Sequence, residues 1–334
     1  LANIVIIGGA GFLGGNLALK LSATGHDVTI IDTMDNFKKF TVYTQRDKDS
    51  AYYSQINSII LENLKKKCRI INMDICDEQA MKCIFAETCP NIVYYSVCGF
   101  LYDNVNSSLN EVFGLIKVLG AIKEMSNLKR FVLISSASVY GDPKASIVNE
   151  EIPRCPIDTY GRIKVIAEEI LMLYHSFYGI NYSIVRPSTI YGPGDMRPFS
   201  LTNAIYNIIN NMPAKLSNPD KVSAPPMYIS DAIEGLILFG FHPMANNDIF
   251  NLTSSEKAVF SDAQYIEILK GQLFPDVTIK FVEHYNNHCI PSKPWILDNS
   301  KSVSFFGFTP HYSLAKGIIK CSEDILHMIK TEIA

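Results

Sequence analysis

The chain has eight cysteines among its 334 residues but no Cys-x-x-Cys pair. Cys68, Cys76, Cys83 and Cys89 follow no zinc-like spacing, so reduced thiols in a cytoplasmic protein are the expectation. No apolar run approaches the roughly 18 residues of a membrane span, so no membrane partner is expected. The first such run, Ile4–Ile7, is too short for a signal-peptide core and ends in glycines. Basic excess is missing as well. The net charge is −3, which argues against the basic face of a nucleic-acid binder. The short run Lys65-Lys66-Lys67 reads as a solvated helix end. There is one tryptophan, Trp295, read as a packing residue. Internal repeats and low-complexity segments are absent. What is plentiful is apolar: 48% of residues are hydrophobic and 19% charged, enough for a sizeable core and too little charge for general disorder.

The first half alternates short β-branched runs with helical patterns. Ile4–Ile7, Val28–Ile31, Arg69–Asn72, Ile92–Tyr95, Phe131–Ile134 and Tyr182–Val185 read as strands buried on both faces, the signature of a parallel sheet covered by helices. Helices are expected near Phe12–Ser22, Ser54–Lys67, Glu78–Ala86, Leu109–Met125 and Tyr160–Phe177. This βαβ repetition predicts an α/β fold, a doubly wound parallel (Rossmann) sheet spanning 1–186. From 187 to 334 prolines punctuate short helices at Asp231–Gly240, Asp262–Leu269 and Leu314–Met328. That segment reads as a smaller substrate-binding lobe, with strands able to return to the main sheet.

The turn after the first strand, Gly8-Gly9-Ala10-Gly11-Phe12-Leu13-Gly14, satisfies G-x-G-x-x-G at Gly9, Gly11 and Gly14. Glycine allows the tight turn, lets backbone touch a pyrophosphate and brings helix close to strand. The helix N-terminus then offers free N–H groups to phosphate. Asp32 ends the second strand about twenty residues further on, where a carboxylate accepts hydrogen bonds from ribose hydroxyls and repels a 2′-phosphate. NAD is therefore the expected cofactor. Asp74 and Ile75, after the third strand, are candidates to border the adenine.

Tyr160 and Lys164 stand at i and i+4, on one helix face. A phenol titrates near pH 10, and work as a base at neutrality needs a drop of about three units, roughly 4 kcal/mol. A neighbouring ammonium and a positive nicotinamide ring can supply it. Upstream, the strand Phe131–Ile134 runs into Ser135-Ser136, and a hydroxyl at a strand's carboxyl end points into the ligand crevice of an α/β sheet. Ser136, Tyr160 and Lys164 are thus the candidate catalytic residues.

With GGAGFLG, Asp32, Asp74-Ile75, SSASVYG, YGRIK with Glu168 behind it, RPSTIYGPGD and MYISDAIEG in this order, the chain resembles the extended short-chain dehydrogenase/reductases. Within them it is similar to the NAD-dependent sugar epimerase/dehydratase family, and to UDP-sugar 4-epimerases in particular. The resemblance implies Ser136 as hydroxyl partner, Tyr160 as acid/base, Lys164 as its activator and Ser188 on the nicotinamide side, with Tyr160 and Lys164 also counted among the residues that bind the cofactor. It also implies a nucleotide-sugar substrate and a homodimer formed by the helices near Leu109–Met125 and Tyr160–Phe177, with Ile116, Leu119, Ile170 and Leu173 as candidates for the interface.

Departures from the family pattern carry information. Dehydratases of the family have Asp-Glu where this chain has Ala137 and Ser138, and elimination of water needs an acid and a base there. Related decarboxylases carry Glu where Ser138 sits. The H-x-A-A strand end reads Tyr95-Ser96-Val97-Cys98, N-V-x-G reads Glu111-Val112-Phe113-Gly114, and Thr189 replaces an Asn. The diphosphate-binding Arg aligns with Ala224, leaving Lys215, Lys221 and Lys293 as the nearest basic candidates. His284 and His288 stand four apart with Cys289 adjacent, but Pro291 and the polar surroundings read as a loop with no further ligand in view, so no metal is expected. The expected function is a sugar-nucleotide epimerase working by transient oxidation of a carbinol. A net reductase or dehydrogenase is the alternative, and a non-catalytic NAD-binding protein a third reading.

Overall fold

The computed structural model describes residues 1–35, 50–98, 105–195, 197, 200–210, 212–216, 222–223, 225–272, 279–281 and 291–333. Its centre is one seven-stranded sheet: β1 (Asn3–Ile7), β2 (Asp27–Asp32), β3 (Arg69–Asn72), β4 (Ile92–Tyr95), β5 (Arg130–Ile134), β6 (Tyr182–Pro187) and β7 (Asp248–Leu252). The spatial order is β7-β6-β5-β4-β1-β2-β3, and all six pairings are parallel. The six strands anticipated from apolar runs are all present. The seventh, β7, comes from beyond residue 187 and pairs Asp248 with Ser183, so the C-terminal segment shares the main sheet.

The helices are α1 (Phe12–Ala23), α2 (Ser50–Lys67), α3 (Glu78–Thr88), α4 (Val105–Ile122), α5 (Thr159–Tyr178), α6 (Leu201–Ile209), α7 (Ile229–Phe241), α8 (Asp262–Gln272), α9 (Ser300–Phe306) and α10 (Leu314–Ile333). Side chains alternate between the two faces of each strand, and the core divides accordingly. Ile4, Ile6, Val28 and Ile30 pack with Leu17, Leu64, Leu236 and Ile318, under α1, α2, α7 and α10. Val5, Ile7, Ile31 and Val93 pack on the other face with Phe85, Leu115, Leu119 and Leu171, under α3, α4 and α5.

Strand order reverses between β1 and β4, the two central neighbours, because β1 is followed in space by β2 and β4 by β5. The helices after these two strands leave on opposite faces, which opens a crevice at the carboxyl ends of the strands. The glycine loop lies there, as do the chain segments after β4, β5 and β6.

Two expectations need revision or placement. Leu119 is fully buried in its own chain's core and is unavailable to a partner. Helix α4 carries apolar residues around most of its circumference, so periodicity alone does not separate inward from outward positions. Lys221, Ala224, His284, His288 and Cys289 lie outside the described residues. Lys215 is on the strand Ala214–Leu216, and Lys293 is exposed. Among the described residues, no helix is long and apolar enough to cross a membrane.

Candidate active site

The phosphate loop is built by a close approach. A Cβ at Gly14 would stand 2.5 Å from the Gly8 carbonyl oxygen, so the first turn of α1 rests directly on the turn that follows β1. Any side chain there would push helix and loop apart. Helix α1 begins at Gly11 with no side-chain cap and no acidic residue in its first turn, which leaves the Phe12, Leu13 and Gly14 end open to an anion. Gly8, Gly9 and Gly11 form the turn itself.

Asp32 closes the loop from the side. Its Oδ2 accepts from the Ala10 N–H at 3.0 Å and its Oδ1 from the Met34 N–H at 2.8 Å. Burial pushes the carboxyl above its ordinary range, and the two backbone N–H bonds oppose that shift. Each oxygen retains a lone pair for a ribose hydroxyl. Asp74 and Ile75 sit just past β3, whose Asn72 pairs with Asp32. The Asp74 carboxylate is exposed and accepts from the Cys76 N–H at 2.9 Å, while Ile75 is buried. From Asp32 we expect NAD to bind at least tenfold more tightly than NADP, a difference of about 1.4 kcal/mol. Calorimetry with both cofactors tests this, and equal affinity contradicts it.

Across the crevice, Asp158 caps α5 through a 2.7 Å bond from the Gly161 N–H. A Cβ at Gly161 would meet the Ser138 carbonyl oxygen at 2.4 Å, so the first turn of α5 lies flat on the segment after β5. That contact brings Tyr160 to Ser136, whose hydroxyl acts to lower the phenol pKa. The Ser136 Oγ also lies 3.2 Å from the Ser138 Oγ and accepts from the Ser138 N–H. One turn along, the Lys164 ammonium is 5.6 Å from the centre of the Tyr160 ring. The structure therefore brings Ser136, Tyr160 and Lys164 together.

The electrostatics differ from a plain Tyr-Lys pair. The Lys164 Nζ donates to the Glu111 carboxylate at 2.5 Å and to the Val97 carbonyl at 3.0 Å, and both side chains of this ion pair are 1% exposed. Burial on its own pulls the ammonium down, but Glu111, then Tyr160 and Cys98, outweigh it and the net shift is upward. The Tyr160 phenol is also displaced upward, first by desolvation and then by Cys98, with Lys164 pulling the other way. The Cys98 thiol is pushed up as well, chiefly by desolvation, with Lys164 and Tyr160 pulling the other way. Arg197 adds a positive charge from the segment after Tyr191. It is clamped on Asp195 by two 2.8 Å bonds, and its charge also acts on Tyr160 and Cys98.

Ser188 supplies a test of whether this crevice fits a cofactor. Its side chain is buried, and its Oγ makes no hydrogen bond among the described residues, although its N–H donates to the Leu252 carbonyl. A buried hydroxyl without a partner costs about 1–3 kcal/mol, which a bound ligand's polar group removes. The loop, Asp32 and this hydroxyl fit a dinucleotide whose nicotinamide end reaches β6. Among the described residues, the one metal-like group is Asp231, Glu234 and His311. Asp231 there accepts from the His311 and Tyr312 N–H groups at 3.1 and 3.0 Å, a clasp that ties the chain before α10 to α7.

Reading the sequence missed two members of this site. Glu111 was visible only as a departure from an Asn-containing motif, with nothing to say that it reaches Lys164. Arg197 carried no signal, because the search for a basic residue centred on position 224.

The chain is 27% identical over 340 residues to UDP-glucuronic acid decarboxylase 1 of Arabidopsis thaliana, covering 98% of this chain and 71% of that one. It is 25% identical to the UDP-glucuronate 4-epimerase of Thermodesulfobacterium geofontis, covering 98% of each. Its fold matches the crystal structure of UDP-glucose 4-epimerase from Thermotoga maritima with a TM-score of 0.81 at 20% identity, over 98% of this chain and 99% of that one. The sequence pattern of the NAD dependent epimerase/dehydratase family matches residues 4–253, most of the chain, and the chain belongs to that family.

Proposed function

We propose that this protein is an NAD-dependent UDP-sugar 4-epimerase that oxidises a sugar carbinol transiently and returns the hydride to the opposite face. The observation that carries this reading is the make-up of the segment after β5. Ser136 stands beside Tyr160 and acts on its phenol, while positions 137 and 138 offer Ala and Ser and no carboxylate. Elimination of water has no acid–base pair there. Glu111, the carboxylate held against Lys164, is tied up in that ion pair and is 1% exposed.

When bound, NAD supplies the hydride acceptor and later the donor. The protein residues handle the proton. Ser136 orients the substrate hydroxyl toward Tyr160, the Tyr160 oxygen takes the proton as the carbinol becomes a ketone, and Lys164 stabilises the phenolate. The same phenol returns the proton to the ketone oxygen after the sugar has turned over. Relatives named as UDP-glucuronate and UDP-glucose 4-epimerases support the substrate class.

The test is incubation with UDP-glucuronate and UDP-glucose, followed by mass spectrometry and NMR. A product of unchanged mass with inverted C4 is expected. Loss of carbon dioxide makes the enzyme a decarboxylase, loss of water a dehydratase, and stoichiometric NADH a net dehydrogenase.

The proposal includes a homodimer through α4 and α5. Phe113 is 52% exposed, Ile166 41%, Leu173 55% and Phe177 75%, an apolar face on the two helices that also carry Glu111 and Lys164. Burial of such side chains is worth roughly 1.5–3 kcal/mol each. Sedimentation at twice the chain mass is expected for the wild type and at the chain mass for Leu173→Glu. A monomeric wild type contradicts the dimer.

A further inference from the structure

We propose that Glu111 is a positioning residue of this site: its carboxylate fixes the Lys164 ammonium and takes up its charge, so that Tyr160 serves as proton donor as well as acceptor near neutral pH. This rests on the reading of Tyr160 as the acid/base.

The pair is built between two neighbouring helices on one face of the sheet. Lys164 comes from α5 and Glu111 from α4, and their 2.5 Å contact is sealed from solvent at 1% exposure on each side. The backbone carbonyl of Glu111 accepts from the Tyr95 hydroxyl at 2.6 Å, which pins this turn of α4 to the end of β4. The ammonium has a second acceptor in the Val97 carbonyl at 3.0 Å, so it is held from two directions. Such a lysine has little freedom to swing.

Charge compensation follows from the same contact. An isolated ammonium near a phenol favours phenolate. A carboxylate in hydrogen-bond contact with that ammonium turns a monopole into a compact dipole, whose effect on Tyr160 falls off faster with distance. Among the described residues, the groups shown acting on Tyr160 are Lys164 from its own helix, Glu111 from α4, Cys98 after β4, Ser136 after β5 and Arg197 after Tyr191. Glu111 and Cys98 raise the phenol; Lys164 and Ser136 lower it. A reaction that first removes and then restores a proton on the same oxygen needs a phenol of intermediate strength, and Glu111 weakens the acid that Lys164 alone would make.

The experiment is an ultraviolet titration of phenolate in the NAD-loaded protein, with the Tyr160→Phe counterpart of each form subtracted to isolate Tyr160. Glu111→Gln, which keeps shape and removes charge, is expected to lower the Tyr160 midpoint by at least about one pH unit, a tenfold change in acid constant. Glu111→Asp, which keeps the charge, is expected to recover most of that shift. A midpoint in Glu111→Gln equal to or above the wild type overturns the proposal, as does an Asp variant that behaves like Gln. Should Glu111→Gln fail to fold, the wild type decides: Tyr160 protonated beyond about pH 8 supports compensation, and a lower midpoint contradicts it. The absorbance needs no substrate, so failure of the substrate assignment and failure of this inference are read separately.

Discussion

Tyr160→Phe is expected to reduce turnover of a UDP-sugar by ~10²–10⁴ while NAD affinity stays within a few-fold of wild type, since that range is what a positioned acid–base group contributes. The ring is retained, so its packing is preserved, and only the phenol oxygen beside Ser136 is lost. None of the loop contacts at Gly14 and Asp32 involves Tyr160, which is why cofactor binding is expected to persist. The phenol is displaced upward in the protein without ligand, chiefly by desolvation, so at neutral pH it holds its proton. The oxidative half of the reaction needs the deprotonated form, and its rate in the wild type is expected to rise with pH until that group has titrated. Stopped-flow absorbance of the reduced cofactor and isothermal calorimetry check both parts. Near-normal turnover in the variant contradicts the assignment of Tyr160.

Arg186→Met is expected to destabilise the protein by about 3–5 kcal/mol at pH 7, the cost typical of removing one member of a buried ion pair. Arg186 and Glu168 are 2% and 0% exposed and meet through two bonds, Nε to Oε1 at 2.9 Å and Nη2 to Oε2 at 2.7 Å. Arg186 also donates to the Tyr140 hydroxyl at 2.9 Å, and the Ser135 hydroxyl donates to Glu168 at 2.6 Å. The network thereby joins β6, α5 and the segment after β5 directly behind Ser136. Without Arg186 the Glu168 carboxylate keeps, among the described residues, the Ser135 hydroxyl and a single cation, the partly exposed Arg154 at 3.2 Å. Urea unfolding at pH 7 measures this. A loss under about 1 kcal/mol at pH 7 contradicts the importance of the pair.

Most of the six strands were legible because their residues are largely β-branched and aromatic, the consequence of burial on both faces, whereas β3 at the sheet edge shows only Ile70-Ile71 between polar ends and is partly exposed. Strand β7 was not, because Asp248-Ile249-Phe250-Asn251-Leu252 places an Asn in the core. Asn251 is acceptable there only through tertiary bonds: it accepts from the Tyr140 hydroxyl and donates to the Val148 and Asp298 carbonyls. No local pattern announces such partners. The same limit governs the site. Tyr160 and Lys164 share a helix face, and their proximity follows from spacing alone. Glu111 meets Lys164 only because α4 and α5 pack side by side across β4 and β5, a long-range fact invisible in either segment. Asp32 was legible as a ribose acceptor, but its two bonds to Ala10 and Met34, which brace the loop, depend on how β1 and β2 align. For Leu119, an apolar residue on a largely apolar helix, burial was decided by the sheet beneath it.

The most direct test of transient oxidation uses UDP-glucuronate carrying deuterium at C4, with the NAD-loaded protein and no added cofactor. Hydride removed from and returned to the same carbon within one site predicts a C4-inverted product that retains the deuterium at C4, with no accumulation of reduced cofactor. Release of the label to solvent, or its appearance in free reduced cofactor at the expense of an epimeric product, contradicts the account.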